Sequence, residues 1–187
     1  MPKIADIQET PNPNAVKFIL REPVSWGTSH SFKTVDDAAH DKFAKSLFDV
    51  GHVVSVFYMD KMVTVEKTDD AEWDEILPDL AVPIRSAEPV AKTNGNAAAS
   101  VGGAIAAAAS NDDPKLREIE AILDERIRPY LAGDGGWLEV VELADNTLKI
   151  RYEGACGSCP SSLTGTLMAI ENMIREEIDP DISVVAT

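Results

Sequence analysis

The stretch Gly154-Ala155-Cys156-Gly157-Ser158-Cys159-Pro160-Ser161-Ser162 decides how the chain is read. It holds the only two cysteines among 187 residues, two small residues apart and followed by a proline suited to the first position of a helix. The turn between them sets both sulfurs on one side, where they can grip a single metal centre. A tetrahedral zinc site or an iron–sulfur cluster normally takes four protein ligands. Two thiolates are half of that set. The rest must come from a second copy, a non-cysteine ligand or a partner, unless the pair does redox chemistry alone.

Working outward, the residues on either side of the loop predict a strand before it and a helix after it. Thr147 to Tyr152 reads as a strand, paired with Leu138 to Leu143 across an Asp145-Asn146 hairpin turn. Leu163, Leu167, Ile170, Ile174 and Ile178 fall on one helical face, Pro180 ends that helix, and Ile182 to Val185 makes a closing strand. Upstream, Asp112 or Asp113 caps a helix with Pro114 at its first position. Its buried stripe is Leu116, Ile119, Ile122, Leu123, Ile127 and Tyr130. Gly133-Asp134-Gly135-Gly136 closes it with a turn, Asp134 taking the left-handed backbone geometry. The order α-β-β-α-β over residues 113–187 is small for an independent core, so dimerisation or metal would help it.

Residues 1–82 form a second small α/β unit, and the fold class is α+β. Thr10-Pro11-Asn12-Pro13-Asn14 is turn chemistry, followed by a strand over Ala15 to Leu20 and a short one near Ser31 to Lys33. A helix is predicted from Thr34 through Ala39, Phe43, Leu47 and Val50, stopping at Gly51. Val53–Tyr58 and Met62–Glu66 make a hairpin about Asp60-Lys61, and a last short helix carries Trp73, Ile76, Leu77 and Leu80. Between the units, residues 83–112 are rich in Ala, Gly, Ser and Asn without apolar periodicity. Their composition predicts a flexible linker.

Composition removes several function classes. A net charge of −15, with acids in excess in both halves, opposes nucleic acid and anionic membrane surfaces. No apolar run approaches the ~20 residues of a bilayer span. The first residues lack the apolar core of a signal peptide, and two cysteines are too few for a secreted disulfide framework. The expected compartment is the cytosol.

At the start of a helix, unpaired N–H groups and the positive end of the macrodipole favour anions, so thiolates at Cys156 and Cys159, or a cluster bound by them, are stabilised. Four readings follow from the residues: an inert buried pair, a dithiol oxidoreductase, a zinc ion shared by two chains, and a [4Fe–4S] cluster shared by two chains. Residue chemistry alone leaves zinc and iron–sulfur side by side.

Arg128-Pro129-Tyr130-Leu131-Ala132-Gly133-Asp134-Gly135-Gly136, the cysteine stretch, and Ile170-Glu171-Asn172-Met173-Ile174 together resemble the C-terminal domain of NifU-like (Nfu-type) iron–sulfur proteins. Thr10-Pro11-Asn12-Pro13-Asn14 with Lys17-Phe18 resembles the N-terminal domain of the same family. The resemblance implies a homodimer holding one bridging [4Fe–4S] cluster through Cys156 and Cys159 of each subunit. It also implies transfer to apo iron–sulfur client proteins, with no enzymatic step. Trp137, Leu167 and Met168 depart from the family's usual residues and lie off the ligand set.

Other candidates have plainer readings. His30, His40 and His52 lie in the first unit without metal-ligand spacing, and Trp26, Trp73 and Trp137 read as packing or partner contacts. No Ser/His/Asp set or phosphate-binding glycine loop supports a hydrolase or kinase.

Overall fold

The computed structural model describes residues 2–88, 114–155 and 160–187, with the side chains of 160–164 excepted. The chain divides into two units, Met1–Ala104 and Ile105–Thr187, each with its own core. The fold is α+β, with helices and strands in both. The expected linker at 83–112 lies outside the described residues, apart from its first six positions. Among the described residues no helix is long and apolar enough to cross a membrane.

In the N-terminal unit, β1 (Ile4–Glu9), β2 (Ala15–Leu20), β5 (Met62–Lys67), β4 (Val53–Met59) and β3 (Ser29–Phe32) form an antiparallel sheet in that spatial order. The β2 strand and the β4–β5 hairpin stand where the apolar and β-branched residues put them. Asp60 at the hairpin tip takes a positive φ of 51°, which short polar side chains tolerate. β1 was not anticipated. Its sequence IADIQE has no two-residue alternation, and as an edge strand it leaves most of its side chains in solvent.

The helical segment after β3 departs from expectation. Residues Asp37–His40 form a 3₁₀ turn, and α1 spans only Lys42–Phe48. Asp41 breaks the run because its carboxylate accepts the Ala44 N–H at 2.7 Å and so caps a new helix. Ala38, Ala44, Leu47 and Phe48 take the buried positions, and Ala39 is exposed. α2 is longer than expected, Trp73–Ser86, and runs past position 82 despite Pro78 and Pro83. Ile76, Leu80 and Ile84 carry its buried face onto Phe18, Val63 and Val65 of the sheet core.

The loop 10–14 is tied down by its own side chains. Asn12 Nδ2 donates to Glu66 at 3.2 Å, the Asn14 N–H to Asn12 Oδ1 at 3.0 Å, and Trp73 Nε1 to the Pro13 carbonyl at 3.0 Å. These bonds fasten the turn to β5 and to the start of α2.

The C-terminal unit follows the predicted α-β-β-α-β order. α3 (Pro114–Ile122) passes through a π-helical turn, Leu123–Ile127, into α4 (Arg128–Gly133). Pro129 has no N–H to offer the preceding turn and its ring displaces the carbonyl four residues back, a recognised cause of such a bulge. The wider turn shifts the buried face, which continues through Leu116, Ile119, Leu123, Ile127 and Leu131. Tyr130, expected on that face, is 75% exposed.

β6 (Gly136–Ala144) and β7 (Thr147–Gly154) pair about Asp145-Asn146, both at positive φ as a two-residue hairpin requires. The register slips between Val140 and Glu142, a β-bulge. It lets Leu138, Val140 and Leu143 all reach the same core, which strict alternation would forbid. α5 (Pro160–Glu177) lays Ile170 and Ile174 onto this core, and β8 (Ser183–Ala186) pairs in parallel with β7.

Asp41 also accepts the Tyr58 hydroxyl at 2.5 Å, while His30 stacks on the Tyr58 ring at 4.6 Å. Burial and then the Asp41 carboxylate push the Tyr58 phenol up, so it remains a donor. Asp41→Ala removes cap and acceptor together and should destabilise the N-terminal unit by about 2–3 kcal/mol in urea unfolding, against about 1–2 for Tyr58→Phe. Burial also holds the His30 imidazole below its ordinary 6.5, opposed by Asp41. The unfolded chain therefore takes up the proton more readily. Stability from this group is full above about pH 6.5 and is lost as pH falls through the folded value. The midpoint of this unit should fall between about pH 7.5 and 5, and His30→Phe should flatten that slope.

Candidate metal centre

The cysteine loop is entered from β7 and left into α5, and both roots are described. Cys156 and Cys159 themselves lie outside the described residues, so their placement as ligands remains a reading of the sequence. At the entry, Gly154 pairs with Gly136 across the hairpin and turns the chain at φ +66°. Ala155 is buried, and its N–H donates to the Gly135 carbonyl at 3.1 Å.

That bond joins two stretches that the sequence keeps apart. Residues 133–136, the turn after α4, abut residues 154–155, the root of the loop. In the turn, the Asp134 N–H reaches the carbonyls of Tyr130 and Leu131, and the Gly135 N–H reaches Ala132 at 3.2 Å. Asp134 sits at φ −86°, ψ 6°, so it is not the left-handed residue expected. Gly135 is, at φ +77°. The geometry falls there because a residue without Cβ takes positive φ at least cost.

At the exit, α5 begins at Pro160, immediately after Cys159. Proline at the first position gives up an N–H that no helical carbonyl could accept, and the remaining first-turn donors and the macrodipole favour an anionic group in front of the helix. A thiolate pair, or a thiolate-bound metal group, meets that requirement.

The frame around the loop is held by Arg128. Its Nε donates to the Leu138 carbonyl at 3.0 Å, its guanidinium pairs with Glu120 at 2.7 Å and Asp124 at 2.5 Å, and it lies 5.4 Å from the Trp137 ring centroid. Trp137 therefore packs, and Arg128 locks the helix to β6. Opposite Trp137 stands Glu153, buried at 6% exposure. Gly135, Ala155 and Arg128 are positioning residues that sequence reading did not assign. Counting the hairpin register outward from Asp145-Asn146 could have found the Gly136–Gly154 pairing, had the bulge been recognised.

The three histidines stay in the N-terminal unit. His30 stacks on Tyr58, and His52 Nδ1 lies 3.6 Å from Asp70. Among the described residues no group of three or more His, Cys, Asp or Glu converges on one point.

A small α+β unit whose sequence carries a cysteine pair between a strand and a helix start has the pattern of a thiol or metal-binding module. The NifU-like domain model matches residues 119–185, and the model for the N-terminal domain of scaffold protein Nfu/NifU matches residues 4–87. The chain belongs to the Nfu/NifU-like family. It is 34% identical over 177 residues to NifU-like protein 4, mitochondrial, of Arabidopsis thaliana, covering 91% of this chain and 61% of that protein. It is 32% identical to the proteins named NFU1 iron-sulfur cluster scaffold homolog, mitochondrial, of Drosophila willistoni and Homo sapiens. The shared regions cover 95% and 90% of this chain and 61% and 65% of those relatives. The chain thus spans less than two thirds of their length.

These names overturn the expected cytosolic location, since all three relatives are mitochondrial. The cytosolic expectation rested on the first residues and on a cysteine count. A count of two cysteines fits a reducing environment without distinguishing one such compartment from another.

Gly135→Ala forces a Cβ into left-handed backbone and should cost about 1–2 kcal/mol in denaturant unfolding of the C-terminal unit. Gly135→Asn should recover part of that loss, because asparagine tolerates the region better.

Proposed function

We propose that this chain is an iron–sulfur cluster scaffold or carrier. A [4Fe–4S] cluster sits at the seam of a homodimer, held by Cys156 and Cys159 of each copy, and passes to apo iron–sulfur proteins. The observation that carries the reading is a lone two-cysteine loop, rooted between β7 and the start of α5, in a chain whose two units both match one family. The naming of these relatives as iron–sulfur cluster scaffolds supports the cargo, and their mitochondrial names support the same setting here.

The coordination argument supplies the dimer. A cubane takes four thiolates and one chain has two, so two chains complete the set. Transfer is ligand exchange without change of oxidation state. A client thiolate bonds to an iron as the bond from that iron to Cys156 or Cys159 breaks. The departing thiolate takes a proton from solvent. No side chain of the protein need act as acid, base or nucleophile, which sets this chain apart from an enzyme.

The N-terminal unit, taken as 1–82 from the sequence and continuing as helix to Ser86, serves as the docking module. Joined in one chain with the cluster-binding unit, it raises the effective concentration of client near cargo.

Anaerobic reconstitution with iron and sulfide tests the reading. About two irons and two sulfides per chain are expected, on a species with the mass of a dimer. Cys156→Ser and Cys159→Ser should each abolish cluster retention while the N-terminal unit unfolds at an unchanged midpoint. A colourless, iron-free product that reduces disulfides would make it an oxidoreductase. A colourless zinc-loaded dimer, or a full cubane on a single copy, would equally sink the proposal.

A further inference from the structure

The N-terminal unit carries a groove of about 490 Å³ between β1, the loop at 10–13 and the first turns of α2. Its apolar walls are Ile7, Pro11, Trp73 and Leu77, and its acids are Glu9 and Asp74, both exposed. No lysine or arginine lines it.

Three features narrow what it can hold. The walls are already ordered: the Asn12, Asn14 and Trp73 bonds fix the loop to β5 and α2, so an occupant meets a preformed surface and little ordering cost. Two side-chain donors of the lining are used within the unit. Trp73 has a single N–H, given to Pro13, and the Thr10 hydroxyl is given to the Asn12 carbonyl at 2.9 Å. The charged side chains that line the groove are two carboxylates, which only accept, a setting that favours cationic donors although the Lys67 ammonium lies 5.5 Å from the Trp73 ring centroid. Finally, the Ile7 N–H on edge strand β1 is engaged by the Asp6 carboxylate at 3.0 Å, and the other oxygen of that carboxylate holds Gln8. That guard works against a partner adding as a further strand, so recognition falls to side chains. Ile7, 43% exposed, opens the apolar floor to a passing chain.

We infer that this groove docks a peptide segment of a partner protein that seats one large apolar side chain against Ile7, Trp73 and Leu77, with a neighbouring Lys or Arg meeting Glu9 and Asp74. The inference rests on the docking role given to the N-terminal unit and names the surface and partner chemistry. A second groove, about 440 Å³ and lined in part by Phe43, Tyr58 and Pro83, holds both Lys42 and Glu88 and so offers no such charge preference.

Short random peptides displayed on phage, selected against the immobilised full-length chain, test it. The recovered sequences should place Lys or Arg beside a large apolar residue. A synthetic copy should shift the NMR signals of Ile7 and Trp73. Its affinity should fall roughly five- to tenfold against the Glu9→Gln/Asp74→Asn double variant, and also against Ile7→Ser. These positions are exposed or half-exposed, and an unchanged thermal midpoint verifies the fold of each variant. Peptides that bind the N-terminal unit of wild type and variants equally well would overturn the groove while leaving a docking role elsewhere on that unit. Enrichment of acidic peptides would overturn the charge assignment and with it the inference. No enrichment over bare support, or binding confined to the C-terminal unit, would remove both the groove and the docking role.

Discussion

A single backbone hydrogen bond, from the Ala155 N–H to the Gly135 carbonyl, fixes where the cysteine loop leaves the sheet. Everything that positions the thiol-bearing segment is arranged to allow it. Gly154 must stand opposite Gly136, and it does so only because the bulge between Val140 and Glu142 slips the register by one. Unbulged, the hairpin counted from Asp145-Asn146 would set Gly154 against Trp137, whose ring lies under the Arg128 guanidinium. Arg128 in turn bonds the Leu138 carbonyl and two acids on the preceding helix turns. Helix, turn, strand and loop root are therefore one mechanical assembly, and the first cysteine follows it by one residue.

The parts of this assembly that were legible in the sequence are those governed by local chemistry. The Asp145-Asn146 turn, the Pro114 start and the α-β-β-α-β order each follow from residues a few positions apart. What was not legible depends on departures from periodicity. The π turn before Pro129 rotates the buried face, so Leu131 replaces Tyr130 in the core. A proline inside a helical stripe was the available signal. The bulge in β6 left no mark beyond a break in alternation between Val140 and Leu143. Asp134 and Gly135 compete for one left-handed position, and the lower cost at glycine decides it.

The N-terminal unit shows the same division. β2 and the β4–β5 hairpin were readable because both faces of these central strands are rich in apolar and β-branched residues. β1 was not, since an edge strand need bury little and IADIQE carries no pattern. The break between the 3₁₀ turn and α1 was hidden by a continuous apolar spacing from Ala39 to Leu47. Only the cap made by Asp41, a tertiary as well as local choice because it also receives Tyr58, restarts the helix. As for the candidate metal centre, the cysteine pair stands out in the sequence, and the mechanical root of its loop does not. Ligands are a matter of residue type, whereas Gly135 and Ala155 matter only through a contact between distant stretches.

The two cores share no residue among those described. On the proposed carrier role this separation would have a physical use. A unit of about 75 residues with a π turn in its first helix has little stability to spare, and ligation adds to what it has. Loading and unloading would then move the stability of the C-terminal unit by a large fraction. A docking surface built into the same core would be strengthened and weakened in step with the cargo. A docking surface placed on the N-terminal core, with its loop 10–14 fixed by side-chain bonds to β5 and α2, would keep its shape whether the thiolates were ligated or bare.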